Sequence, residues 1–148
     1  MDANEIAFLS ATELGAAIKA KQVSPVEAVE AYLERIERLD PTINSYITVM
    51  AEEARAEAKQ AESDIQAGNY KGPMHGVPIA VKDQIYTKSV RTTDASKIRA
   101  DFVPDEDATV VANLKQAGAI LIGKLNMSEF AHGEPQSSHF GPARNPWD

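Results

Sequence analysis

The residues most able to do chemistry in this 148-residue chain are a lysine and an aspartate at the end of an apolar run. In Gly76-Val77-Pro78-Ile79-Ala80-Val81-Lys82-Asp83 the apolar residues lead directly into the charged pair. A short apolar stretch bounded by turn residues has the signature of a core strand. A lysine placed inside such a strand loses water around its ammonium, which lowers its proton affinity and lets it act as a base near neutral pH. The same pattern also fits a lysine whose stem lies along apolar surface while its head reaches solvent, or one paired with Asp83. The local pattern leaves these readings open.

Other side chains offer less. His75, His132 and His139 lack metal-ligand spacing and have no acidic cluster beside them, so no metal site is expected. Ser137-Ser138 sits between Gln136 and His139 without a glycine frame, and it reads as a loop pair rather than a nucleophile. The chain has no cysteine, which removes thiolate chemistry and disulfides and fits a reducing, cytoplasmic setting.

The elements that must position Lys82 are legible in outline. Ser10-Ala-Thr-Glu13 and Ser24-Pro25-Val26-Glu27 are capping-box patterns, each opening an amphipathic helix. The second helix carries Val29, Leu33 and Ile36 and is expected to stop at Asp40-Pro41. Residues 44–49 predict a short strand, and residues 51–67 an alanine-rich helix closed by Gly68. Residues 84–106 show no sustained period, and so long a loop in a compact domain is usually functional. A helix introduced by Asp107 and ended by Gly118 then leads to a second buried strand at residues 119–122. Strand, helical crossover and strand is the grammar of parallel pairing, so the fold class is α/β. A short helix is expected at residues 127–131, followed by an irregular tail over residues 132–148 in which Phe140 and Trp147 need cover.

Composition narrows the partners. The net charge of −7 falls entirely in residues 1–69, while residues 70–148 are neutral. That balance argues against direct nucleic-acid binding. No apolar run approaches membrane-spanning length, and the N-terminus lacks the basic and apolar regions of a secretory leader.

Four segments in order, GVPIAVKD at 76–83, TTDASK at 92–97, DATVV through AGAILIGKLNMSEFA at 107–131, and FGPARNPWD at 140–148, together resemble the N-terminal part of the amidase signature family. The resemblance implies a single domain, with residues 1–69 as a helical N-terminal region and 70–148 carrying the core strands, packed on an incomplete mixed sheet. It implies hydrolysis of a small-molecule amide by a serine, a second serine in a cis peptide and a lysine, without a cofactor, and it assigns the lysine to Lys82. Ala131, His132 and Gly133 correspond to a stretch bordering the acyl pocket, and Asp83 and Asn126 to hydrogen-bonding scaffold around the lysine. The glycine- and serine-rich segment holding both serines follows the NPWD stretch in the family and is not among these 148 residues, so the chain alone is expected to be inactive. Gln84 replaces a frequent asparagine, and Asp94 a cysteine frequent in tRNA-linked members, which tilts the reading toward a free amidase. The alternatives are an A-subunit-like component of a glutamyl- or aspartyl-tRNA amidotransferase, and a non-catalytic remnant or half of a split enzyme. Self-association or a complementary C-terminal piece is expected to cover the exposed core.

Overall fold

The computed structural model describes residues 1–147. Its elements in chain order are α1 (Ala3–Ala7), α2 (Ala11–Lys19), α3 (Pro25–Ile43), β1 (Tyr46–Val49), α4 (Ala51–Gln66), β2 (Pro78–Lys82), α5 (Thr109–Gln116) and β3 (Ile120–Leu125). Single 3₁₀ turns lie at Lys97–Arg99, Glu129–Ala131 and Pro135–Ser137.

The three strands form one sheet in the order β1-β3-β2. β1 runs antiparallel to β3, with Tyr46 opposite Leu125 and Val49 opposite Gly123. At one end of β2, Val77 O accepts from Ile120 N; at the other, Asp83 N donates to Leu125 O. The two strands therefore advance in the same direction, as the crossover through α5 requires. The mixed α/β sheet agrees with the fold class expected from the sequence.

Contacts group the chain into two units, and several elements contribute to both. The first comprises residues 1–36, 50–79 and 113–122. Its core gathers Ile6, Leu14, Ala17, Ile18, Val23, Ala28, Ala31, Ile65 and Val77. Burying side chains of the size of Leu14 or Ile18 contributes about 1.5–3 kcal/mol each. Both capping boxes form: Ser10 N donates to Glu13 Oε2 at 2.8 Å, and Ser24 N donates to Glu27 Oε2 at 2.7 Å. The small face of α4 is buried as the alanine spacing predicts, through Ala54, Ala58, Ala61 and Ile65. Gly15 lets α2 approach the loop before β2, since a Cβ there would stand 2.3 Å from Pro73 O.

The second unit comprises residues 37–49, 80–112 and 123–148. Here α3 differs from expectation, because the helix runs through Pro41 to Ile43. A proline costs a helix its N–H and crowds the preceding turn, but here only the last turn remains to be made. That turn closes through Asn44 N to Asp40 O at 2.7 Å. The Asp40 carboxylate then takes the exit, accepting from Ser45 N at 2.7 Å and from Tyr46 N at 3.3 Å. The helix expected at 127–131 shrinks to the 3₁₀ turn, with Phe130 and Ala131 both at positive φ. Much of the tail is held by side-chain amides: Asn44 Nδ2 lies 3.1 Å from the carbonyls of Phe140, Gly141 and Pro142. Phe140 lies beneath the Arg91 guanidinium at 5.3 Å, whereas Trp147 is 91% exposed.

Candidate functional site

Everything in the site belongs to the second unit. Lys82 is the last residue of β2, flanked by Val81 and Asp83, both of which are buried. Alternate residues of a strand point to opposite faces. With its two neighbours turned inward, Lys82 is turned outward, and it is exposed. The expectation of a desolvated ammonium at this position is therefore not met in this chain: the desolvated lysine is Lys124.

Lys124 lies on β3 and is fully buried. Its Nζ donates to Thr92 Oγ1 at 2.7 Å and lies 3.8 Å from Asp83 Oδ1, an ion-pair distance too long for a hydrogen bond. Loss of water lowers its proton affinity from the ordinary 10.5 to about 8, against the pull of Asp83 and Asp94. Gly123 makes this placement possible. A Cβ at residue 123 would stand 2.6 Å from Thr48 O and 2.7 Å from the Tyr46 ring, so any larger residue would push β1 off β3.

Asp83, equally buried, is held from several sides. Its N–H bonds to β3 at Leu125 O, and its Oδ2 accepts from Thr93 N at 2.8 Å and from Thr93 Oγ1 at 2.5 Å. The other oxygen, Oδ1, has no hydrogen-bond partner among the described residues and faces Lys124. Residues 92–96 are all buried, and within them Asp94 and Ala95 occupy the left-handed region at φ 52° and 54°. For side-chain-bearing residues that conformation carries a cost, which persists only where surrounding bonds fix it. Asp94 is bound by the Arg99 guanidinium, which also donates to Tyr86 Oη at 2.8 Å.

The same loop reaches the other predicted residues. Phe130 N donates to Asp94 O at 2.9 Å, His139 N to Ala95 O at 2.8 Å, and Ser96 Oγ to Glu129 Oε1 at 2.6 Å. Ala131, His132 and Gly133 are exposed and follow directly from this tether. The 92–96 loop thus joins the strand end carrying Lys82 to the segment carrying residues 131–133. Asn126 lies elsewhere: its side chain bonds Asn44 O, Gly141 O and Ser138 Oγ, fastening the tail rather than the lysine. Ser137 Oγ accepts from Glu129 N and Ser138 Oγ donates to Asn126 Oδ1, so both hydroxyls are engaged in local structure.

Lys124 escapes the sequence reading although its signal is present. Ile120-Leu121-Ile122-Gly123-Lys124 is a second apolar run leading into a lysine. What separates the two is position in the sheet: β3 is central and β2 lies at an edge.

Chemically, the arrangement offers an exposed amine at the end of a strand, next in sequence to a buried carboxylate that pairs with the buried Lys124 at 3.8 Å. Among the described residues no group of three or more His, Cys, Asp or Glu is placed to hold a metal ion, and no helix is long and apolar enough to cross a membrane.

Comparison with known proteins extends this picture. The Amidase family profile matches residues 27–148. The A subunit of glutamyl-tRNA(Gln) amidotransferase from Geobacter metallireducens is 52% identical over 145 residues, covering 97% of this chain and 30% of the relative. The corresponding protein of Carboxydothermus hydrogenoformans is 46% identical with the same coverage. Among solved structures, the native peptide amidase of Stenotrophomonas maltophilia superposes with a TM-score of 0.86 at 31% identity, covering 96% of this chain and 31% of that one. The chain therefore spans about 30% of the length of the relatives it matches.

Proposed function

Because the chain belongs to the amidase family, we propose that it is the lysine-bearing portion of an amide hydrolase, with Lys82 as the proton acceptor. A serine hydroxyl becomes nucleophilic when a neighbouring base takes its proton, and a lysine acting through a bridging serine is one way to supply that base. In this reading residues 131–133 border the acyl side of the substrate, a small amide, and both serines come from sequence outside these 148 residues. The observation that carries it is the placement of Lys82: an exposed amine between two buried residues, joined through Asp83 and the 92–96 loop to the segment of residues 131–133. The cysteine-free composition suits a cytoplasmic setting, which is part of the proposal.

A second reading, an A-subunit-like component of a tRNA amidotransferase working in a complex, draws support from the 52% identity to such a protein. It weighs against the tilt toward a free amidase suggested by Gln84 and Asp94, since the relatives matched at this level are tRNA-linked.

Grafting tests the proposal. The corresponding N-terminal segment of the Geobacter metallireducens relative is replaced by residues 1–148, and ammonia release from primary amides is measured with and without tRNA-dependent partner proteins. Release by the graft alone supports a free amide hydrolase, and release only with the partners supports the second reading. A soluble, folded graft that releases no ammonia in either setting would refute both.

A further inference from the structure

The turn through which the chain enters β2 is built around His75, a buried group that the proton transfer described above does not use. Its backbone N–H donates to Gly72 O at 2.9 Å, and its ring Nδ1 accepts from Lys71 N at 3.1 Å. Gly76 N donates to Gly118 O at 2.9 Å, and Ile120 N donates to Val77 O at 3.0 Å, which fastens the turn to the junction between α5 and β3. The ring is 1% exposed and closely covered. A Cβ at Gly118 would stand 2.6 Å from its Cδ2, and the Tyr70 ring centroid lies 5.9 Å away. Because Nδ1 is an acceptor, the single proton of the neutral ring belongs on Nε2, which has no hydrogen-bond partner among the described residues. A second proton would have to enter at Nδ1, against the Lys71 N–H, and that bond would be lost.

The charges around the ring, all of them in the first unit, do not compensate for such a proton. Burial lowers the proton affinity of His75 below the ordinary 6.5, Lys71 pushes the same way, and Asp64 of α4 opposes them. Asp64 is already shared, since its Oδ2 lies 3.8 Å from Lys71 Nζ. Glu57 of α4 and Lys115 of α5, opposite in charge, line the same cavity as His75. From α2, Lys19 adds a further positive charge above the Tyr70 ring, at 5.8 Å. We propose that His75 is an acid-sensitive latch: neutral, it holds residues 71–76 against the α5–β3 junction, and protonated, it releases the turn through which the chain enters β2. Histidine is the side chain suited to such a device, and local opening of one turn costs less than unfolding the chain. The latch is independent of the role given to Lys82.

Amide hydrogen exchange of the 148-residue chain, followed by NMR at pH 7.5 and pH 5 and corrected for the intrinsic pH dependence of exchange, tests this. Protection at Lys71 N and Gly76 N should fall by about tenfold to thirtyfold at pH 5, because the opened turn takes up a proton that the closed turn refuses. Ala28 N, which bonds to Ser24 O in the same unit, should keep its protection. In His75→Asn the amide oxygen can still accept from Lys71 N but does not titrate, so the response at Lys71 and Gly76 should vanish. Unchanged protection at those two amides in the wild type would overturn the inference, and so would a His75→Asn chain that responds like its parent. An equal fall at Ala28 would also overturn it, by showing that acid unfolds the whole unit rather than one turn. Should His75→Asn fail to fold, the ¹⁵N signals of the wild-type ring decide. Nε2 should carry the proton at pH 7.5, with the loss of protection at Lys71 tracking protonation of Nδ1. A ring already protonated at Nδ1 at pH 7.5 is the contrary result.

Discussion

At the level of single residues, the two lysines show what a sequence conveys about a site and where it stops. Both end an apolar run, and both runs are strands. Parity and sheet order, which depend on pairing partners far along the chain, put one ammonium in solvent and the other in the core. The family motif still points to Lys82, whereas nothing local marks Lys124, Thr92 and Asp83 as one cluster. Lys124 also makes stability depend on pH. Its proton affinity is lowered in the fold to about 8 from 10.5, so between those values the unfolded chain binds more protons than the folded one. Stability from this group therefore rises with pH across that window, and below it the desolvation cost is present in full. Relative to Lys124→Met/Asp83→Asn, the wild type should gain on the order of 3 kcal/mol of unfolding free energy between pH 7 and pH 10.5. Urea titrations at the two pH values check this, and a parallel response of both proteins would contradict it. Lys124→Met alone should cost about 3–5 kcal/mol, because Asp83 is left buried and unpaired.

Secondary-structure elements are the most legible scale, because their signals are local. The boxes at Ser10/Glu13 and Ser24/Glu27 form as spaced, and the alanine stripe of α4 is buried as its period requires. Ser24→Ala should therefore cost about 1 kcal/mol, measured by the shift in urea midpoint. Local signals fail where a distant partner decides. Pro41 reads as a stop, but Asp40 and Asn44 complete the last turn beyond it. Residues 127–131 read as a helix, but Phe130 is drawn to Asp94 O, and its backbone turns left-handed. Gly123 is the element-scale point of failure for the site. Gly123→Ala would drive a methyl group into Thr48 O, 2.6 Å away, and should destabilise the chain by about 2 kcal/mol or more. Hydrogen exchange should show lost protection at Met50 N, which bonds to Ile122 O, and at Asn126 N, which bonds to Ser45 O. Unchanged protection there would mean that β1 and β3 tolerate the methyl group.

At the scale of the whole molecule, a three-stranded sheet leaves both outer strands, β1 and β2, with an unpaired edge among the described residues. The second unit also exposes Ile98 at 85%, Val103 at 51% and Phe130 at 42%. Open edges beside apolar side chains favour association, so sedimentation of the purified chain should show a mass that grows with concentration. A monomer across the micromolar range would show that these surfaces are tolerated in water. The family assignment reaches this scale through similarity over 96% of the chain, which matches 31% of the Stenotrophomonas maltophilia peptide amidase at a TM-score of 0.86. The central claim is that Lys82 is the proton acceptor of an amide hydrolase. The most direct test is kcat for ammonia release by the graft, carrying either Lys82 or Lys82→Met. Loss of at least about a hundredfold in kcat with the fold intact is expected, in line with what a positioned base contributes, and a Lys82→Met graft that turns over as fast as its parent would contradict the claim.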